Sequence, residues 1–369
     1  MAFFSKSLFA EVDNNFRLDT EAKKTIGFHF GFGVDLDVFS NAFTIQKIID
    51  QQFDNPNVKN RDLFAYGITR LETFLEYDGN CRLGFEKSVM AMATSNKQTL
   101  DAYSNYTGNG ITSGSNYPNL ALNMTALEGQ GTNFGCTYVS QNNFRINITG
   151  RLLNINNFTE HKYSGSISEV PDGLLGILNE TWVRVSPQID DLQQSGQGGR
   201  AGIVDFKFNW NSSDKKNFTN LNIYNLYSKV QVQNYPYMTR NFNAIYSQGS
   251  IYQNENIQPL TGRYGNQNFS GSLPRIWAAD FGHLVLNQAY VGMMLYGLDN
   301  FYQPSLFINL GCSGCSVGSG YRINIDQNLT TLGLGYFGNS FSLFLATQMN
   351  EGFNLSSINQ IRFNYRFKF

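Results

Sequence analysis

Apolar and polar residues alternate without a break from Ile26 to Val38. Ile26, Phe28, Phe30, Phe32, Val34, Leu36 and Val38 form one set, and Gly27, His29, Gly31, Gly33, Asp35 and Asp37 form the other. The chain closes on the same pattern. Ile361, Phe363, Tyr365, Phe367 and Phe369 alternate with Arg362, Asn364, Arg366 and Lys368. Successive side chains on a strand point to opposite faces, so each stretch predicts a strand with one apolar and one polar face. Lipid outside and water inside would require such strands. The fold class expected is all-β: a transmembrane antiparallel β-barrel whose first and last strands meet.

Between these ends, period-two segments recur. Ala65–Tyr77 and Arg82–Ala93 flank Asp78-Gly79-Asn80, a hairpin signal. Asn119–Ala126, Asn133–Ser140, Phe144–Arg151, Ser164–Val170, Asn220–Val232 and Met238–Tyr246 read as further strands, and the last third is strand-rich through to Phe369. The total is roughly 16 to 20 strands. Phe4, Leu8, Val12 and Phe16 recur at three- and four-residue steps, which predicts an amphipathic helix over residues 2–18. Ser40–Phe53 predicts a second short helix ended by Asn55-Pro56-Asn57. The expected organisation is one domain over residues 1–369: an N-terminal helical part, 1–24, and a barrel, 25–369, with long insertions near 41–62, 98–117, 171–200 and 250–280.

Composition fits this picture. Charged residues are 15% of the 369, aromatics 15% with 31 Phe and 20 Tyr, and there are 35 Gly. Many strands, interfacial aromatic belts and polar turns need that mixture. A net charge of −1 gives no reason to expect a nucleic-acid partner. No segment reaches the length of a spanning helix, so a membrane-spanning chain must be a closed barrel. Lys6 interrupts the apolar start and no basic n-region precedes it, so no secretory signal is expected.

The two ends together resemble the mitochondrial porin superfamily, the voltage-dependent anion channels and the Tom40 translocase pore. The residues that carry the resemblance are Phe30-Gly31-Phe32-Gly33-Val34-Asp35-Leu36-Asp37 after a helical N-terminus, and Asn328-Leu329-Thr330-Thr331-Leu332-Gly333-Leu334-Gly335-Tyr336 before the closing strands. Residues 41–62 and 171–200 exceed what that family needs, and the closing strand lacks its usual glycine. The resemblance implies about 19 strands and a helix lying in the pore. Phe369, with apolar residues at every second preceding position, equally resembles the assembly signal of Gram-negative outer-membrane barrels.

Little supports catalysis. The histidines are His29, His161 and His283; a hydrolase would need one to converge with Ser and Asp or Asn, and His29 alternates onto the polar face of the first strand, which predicts a lumen-facing histidine. Cys312-Ser-Gly-Cys315 offers two thiolates where structural zinc needs four ligands; Cys81 and Cys136 could complete a set only by proximity. No catalytic residue, metal site or cofactor is expected. The polar faces name pore-lining candidates: Arg362, Arg366, Lys368, Arg322, Lys207, Arg145, Asp35 and Asp37, with Asp205 and Asp326. The apolar faces name lipid-facing candidates: Phe28, Phe30, Phe32, Phe363, Tyr365, Phe367 and Phe369.

These features predict a passive outer-membrane channel for small anions and metabolites, like the voltage-dependent anion channel, with the mitochondrial outer membrane preferred to the Gram-negative one. The expected partners are membrane lipid, small anionic solutes and protein partners if the chain joins a larger complex. Two other readings stay open: a structural or assembly barrel subunit of a larger membrane complex, and a Gram-negative outer-membrane porin or transporter.

Overall fold

A computed structural model describes residues 27–41, 43, 45–49, 63–77, 80–108, 116–140, 143–170, 173–185, 198–214, 216–247, 261–286, 289–311, 317–324, 329–337, 341–348 and 358–368. The helix expected over 2–18 lies outside them, as do Cys312, Cys315, Asp326 and Phe369.

The period-two segments form β1 (Phe28–Ser40), β2 (Leu63–Tyr77), β3 (Cys81–Ser95), β4 (Tyr117–Val139), β5 (Phe144–Val170), β6 (Gly173–Val185), β7 (Gly199–Asn211) and β8 (Asn217–Ser247). They continue as β9 (Thr261–Gly271), β10 (Ile276–Leu286), β11 (Ala289–Leu298), β12 (Phe301–Gly311), β13 (Val317–Asn324), β14 (Leu329–Phe337), β15 (Phe341–Gln348) and β16 (Ile358–Lys368). Three pairs of expected short strands are single long ones: β4, β5 and β8. Gly129-Gln130-Gly131 reads as a break in β4. A Cβ at Gly131 would instead run into the Leu152 carbonyl oxygen, so glycine is what lets β4 and β5 approach there. The insertion expected over 171–200 contains β6, and the one over 250–280 contains β9 and the start of β10. β9, Thr-Gly-Arg-Tyr-Gly-Asn-Gln-Asn-Phe-Ser-Gly, carries almost no apolar alternation.

Two helices are described. α1 (Ile45–Ile49) falls inside the segment read as helical. α2 (Lys97–Gly108) replaces the polar loop expected over 98–117. Its start is written locally: Asn96 Oδ1 accepts the Thr99 backbone N–H at 2.9 Å, an N-cap. Ala102 anchors the helix on Leu120, Ile167 and Leu178.

All sixteen described strands join one antiparallel sheet, and its pairings return on themselves. β5 is long enough to pair with β7 through Phe144–Ile155 and with β6 through Phe158–Val170. β8 divides in the same way, pairing with β7 and β10 in its first half and with β6 and β9 in its second. With β6 and β9 set aside as an extension, the remaining fourteen strands form a ring closed by β1 against β16, Leu36 facing Phe363. Every pairing is antiparallel, so the ring is even.

The two ends of the ring differ. One carries the short links 77–81, 139–144, 211–217 and 286–289; the other carries α1, α2, the extension and the longer connections. Side chains alternate across the wall. Along β2, Phe64, Tyr66, Ile68, Glu72, Phe74 and Glu76 are buried inside, while Leu71, Thr73, Leu75 and Tyr77 are exposed outside. Large apolar groups cover the outer face: Phe28 is 69% exposed, Leu83 57%, Phe134 55% and Leu152 70%. Phe28 and Tyr77 meet outside at the short-link end, with ring centroids 5.0 Å apart.

Cys81 and Cys136 face each other across β3 and β4, Cα atoms 4.1 Å apart, in a disulfide at that same end. Their proximity therefore serves a covalent cross-strand link, and no group of metal-binding side chains occurs among the described residues.

Candidate functional site: a two-tier lumen

Read from the long-connection end inward, the lumen-facing residues of β2, β3, β5, β7 and β10 change character at one depth, whereas β12 runs the other way, from Gln303 and Ser305 to Phe307. β2 presents Phe64, Tyr66 and Ile68, then Arg70 and Glu72. β3 presents Met92 and Met90, then Ser88 and Glu86. β5 gives Phe158, Ile155 and Leu153 before Arg151; β7 gives Ala201 and Ile203 before Asp205 and Lys207; β10 gives Ile276 and Ala278 before Asp280. The first groups merge into one buried apolar cluster that also takes in Phe39, Val230, Val232, Tyr235, Tyr296 and Leu298. An apolar tier thus overlies a charged tier within one closed wall.

The charged tier is paired internally. Arg151, 1% exposed, donates from Nη2 to Asp205 Oδ1 at 2.9 Å and lies 3.7 Å from Glu86 Oε1. Arg70 donates to the other Asp205 oxygen at 3.2 Å. Asn133 bridges Glu86 and Glu72, and Arg82 donates to Glu72 Oε1 at 2.9 Å. A second group lies at the seam between β1 and β16. Arg362 donates to Asp37 Oδ1 at 3.2 Å and to the Tyr296 hydroxyl at 2.7 Å, its guanidinium 5.4 Å above the Tyr296 ring. Tyr224 lies between Arg70 and Lys207, 5.1 and 5.6 Å from its ring centroid. Removing charges from water is costly unless they are paired and hydrogen-bonded, which this arrangement provides.

The tiers meet at a stack of rings. Phe39 lies 5.0 Å from Tyr296, 5.8 Å from Tyr66 and 5.5 Å from Phe64, centroid to centroid. Above, at the long-connection end, a cavity of about 720 Å³ has Met92, Leu273, Phe269 and Phe301 among its lining with Thr94, Thr125, Glu160 and Lys162. Lys162 and Glu160 form an ion pair at 3.1 Å on its wall. Apolar and polar groups line it in about equal share, which suits a small amphipathic molecule.

Of the pore-lining candidates, Asp37, Arg362, Lys207 and Asp205 belong to the charged tier, and Asp35 and Arg145 occupy inward register positions at intermediate burial. On the backbone register, Arg366 and Lys368 stand opposite Gly33 and Gly31, and Arg322 opposite Thr331. Phe28, Phe30, Phe32 and Phe367 are exposed on the outer face, and Phe363 and Tyr365 are half-buried. Arg70, Glu72, Glu86, Arg151, Tyr66, Tyr224 and Tyr296 complete the site without having been singled out from the sequence. Alternation along β2 already groups Tyr66, Arg70 and Glu72 on one face. The histidines do not converge: His161 bonds Glu180 at 2.8 Å and His283 bonds Asn217 at 2.7 Å.

No family model matches the chain, and no curated protein matches it. Solved structures do. TodX, a monoaromatic hydrocarbon channel, in a deletion mutant is 11% identical with a TM-score of 0.37, covering 93% of this chain and 90% of its own. A FadL homologue of Pseudomonas aeruginosa is 10% identical with a TM-score of 0.31, covering 92% and 87%. The toluene transporter TbuX of Ralstonia pickettii is 10% identical with a TM-score of 0.29, covering 93% and 89%.

The resemblance to mitochondrial porins is corrected here. The structures named above are a monoaromatic hydrocarbon channel, a FadL homologue of Pseudomonas and a toluene transporter of Ralstonia, and none is a mitochondrial porin. The pairing supplies the physical reason. A ring of about 19 successive hairpin strands is odd and must carry one parallel pair, whereas here β1 meets β16 antiparallel.

Proposed function

We propose that this chain is an outer-membrane β-barrel of the Gram-negative type that admits small apolar or amphipathic molecules. The observation that carries this reading is the two-tier lumen. A water-filled ion channel has a polar interior, and an apolar constriction sheds water and bars ions. Here buried apolar side chains from many strands join in one cluster, and Arg70, Arg151 and Arg362 beside it are paired with Asp205 and Asp37. That argues against a passive anion channel. Apolar cargo instead gains from the surface that ions avoid, and toluene and monoaromatic hydrocarbons belong to that cargo class.

Three observations support the membrane assignment. The outer face is apolar where a soluble protein would be polar. Every long connection lies at one end, and the other carries short links alone. The Cys81–Cys136 disulfide suits an oxidising compartment such as the periplasm or cell surface. The lipid-facing residues are then Phe28, Phe30, Phe32 and Phe367 with Phe363 and Tyr365, and the reading is of a transport protein without catalytic residues.

Purified protein in asymmetric bilayers bearing lipopolysaccharide should speed the flux of a monoaromatic solute about tenfold over bare bilayer while passing little ionic current. Porin-sized conductance in potassium chloride would sink the reading. The dense packing around Arg151, Tyr235 and Tyr296 also favours a second reading, a structural or assembly subunit of a larger membrane complex. That reading expects no solute flux and stable co-purification of partners.

A further inference from the structure

The outer face changes polarity along one flank, and the register shows where. Phe134, Gly150, Val204 and Tyr227 stand side by side across β4, β5, β7 and β8. The next outward row toward the long-connection end is Thr132, Leu152, Gly202 and Lys229. The one beyond is Gln130, Asn154, Arg200 and Gln231. Within two rows the wall passes from exposed aromatic and aliphatic groups, Tyr227 at 61% and Leu152 at 70%, to exposed amides and cations.

Arg200 and Lys229 are diagonal neighbours there. Lys229 faces Gly202 and Arg200 is two residues before it, a spacing of about 7–8 Å between such positions that both long side chains can bridge. Gly202 between them has no side chain, so the floor is open backbone with Leu152 at its edge. Both cations are exposed, and neither forms an ion pair among the described residues. Lys87, farther along on β3, differs: it is bound to Glu128 at 3.0 Å, and Asn157 donates to the same carboxylate.

We propose that Arg200 and Lys229 clamp a phosphate of an anionic lipid headgroup at the border of the apolar band, with Asn154 and Gln231 as flanking hydrogen-bonding groups. The occupant is a phosphorylated glycolipid of the outer leaflet. Its acyl chains would run along Leu152, Tyr227 and Phe134 while its phosphate meets Lys229, one row above Tyr227, and Arg200, one row farther. Arg presents a planar fork of donors to phosphate oxygens and Lys a point charge, so the pair supplies both geometry and charge. An exposed Tyr beneath exposed cations is the sequence of groups expected from acyl chain to headgroup. This inference rests on the outer-membrane reading above and adds a lipid specificity to it.

The test uses the full chain in phosphatidylcholine nanodiscs doped with diphosphoryl lipid A, with retained lipid counted by native mass spectrometry. Wild type should retain lipid A, and Arg200→Ala with Lys229→Ala should retain about tenfold less. Arg200→Lys with Lys229→Arg, and Lys216→Ala at the opposite end, should match wild type. Dephosphorylated lipid A should be retained no better than phosphatidylcholine. Equal retention by wild type and the double alanine variant overturns the proposal, as does indifference to the phosphates. Failure of wild type to enter the nanodiscs overturns the membrane reading and this inference together; entry without phosphate preference overturns this inference alone.

Discussion

Arg151 shows what the lumen demands of single residues. Its guanidinium is enclosed on every side and answers Asp205 and Glu86, so each partner is tolerable in the interior because of the others. Taking away one member of a buried set leaves uncompensated charge, at a cost of about 3–5 kcal/mol. Arg151→Met should lower stability by that amount in urea unfolding followed by tryptophan fluorescence. Adding Glu86→Gln should restore part of it, because Asp205 keeps Arg70 while the Glu86 carboxylate is what loses its cation. Strict additivity of the two changes would show that the pair is not coupled. Alternation made Arg70 and Glu72 legible as neighbours on one face of β2. The partner of Arg70, Asp205, is 135 positions away and follows only from the ring.

At the scale of elements, strands facing lipid on one side and lumen on the other declared themselves, because both environments select opposite side chains at every second position. Strands without two contrasting faces did not. β9 pairs with β8 in the extension, and apart from Tyr264 and Phe269 its sequence is polar or glycine. β5 hides its continuity because Asn156 and Asn157 mark the place where its partner changes from β7 to β6. Closure through β1 and β16 was expected from the ends, while its hand depends on the parity of every strand between. Leu36→Cys with Phe363→Cys, in a Cys312→Ser and Cys315→Ser background, should therefore oxidise to an intramolecular disulfide. Opposed residues on antiparallel strands lie about 4.5–5.5 Å apart, within disulfide range. Phe32→Cys with Phe363→Cys, off register because Phe32 faces Phe367, should stay reduced. The reverse pattern on non-reducing gels would refute the antiparallel closure.

For the whole molecule, the two tiers matter because, on the proposed reading, they make the lumen selective. A closed wall this size could hold water, and the polar faces read from the sequence suggested that it does. What the sequence concealed is the depth at which each strand changes character: single strands show only alternation, and the apolar tier exists where several strands place their inward apolar residues at one level. Where the tiers meet, Phe39 stacks with Tyr296, Tyr66 and Phe64, beside Arg362 and Asp37. If that stack bars ions, opening it should connect the charged tier to bulk water. Phe39→Ala with Tyr296→Ala removes two rings and should raise single-channel conductance in potassium chloride at least about tenfold over wild type. Each deletion also costs on the order of 3–5 kcal/mol of packing, so the heat-induced shift of the folded band on gels must first show that the variant is folded. Tyr296→Phe keeps the ring and removes only the hydroxyl that Arg362 donates to, and should conduct no more than wild type. A folded double variant that still passes no current would place the barrier elsewhere in the lumen. Conduction by Tyr296→Phe equal to that of the double variant would assign the seal to the Arg362 hydrogen bond and not to the aromatic stack.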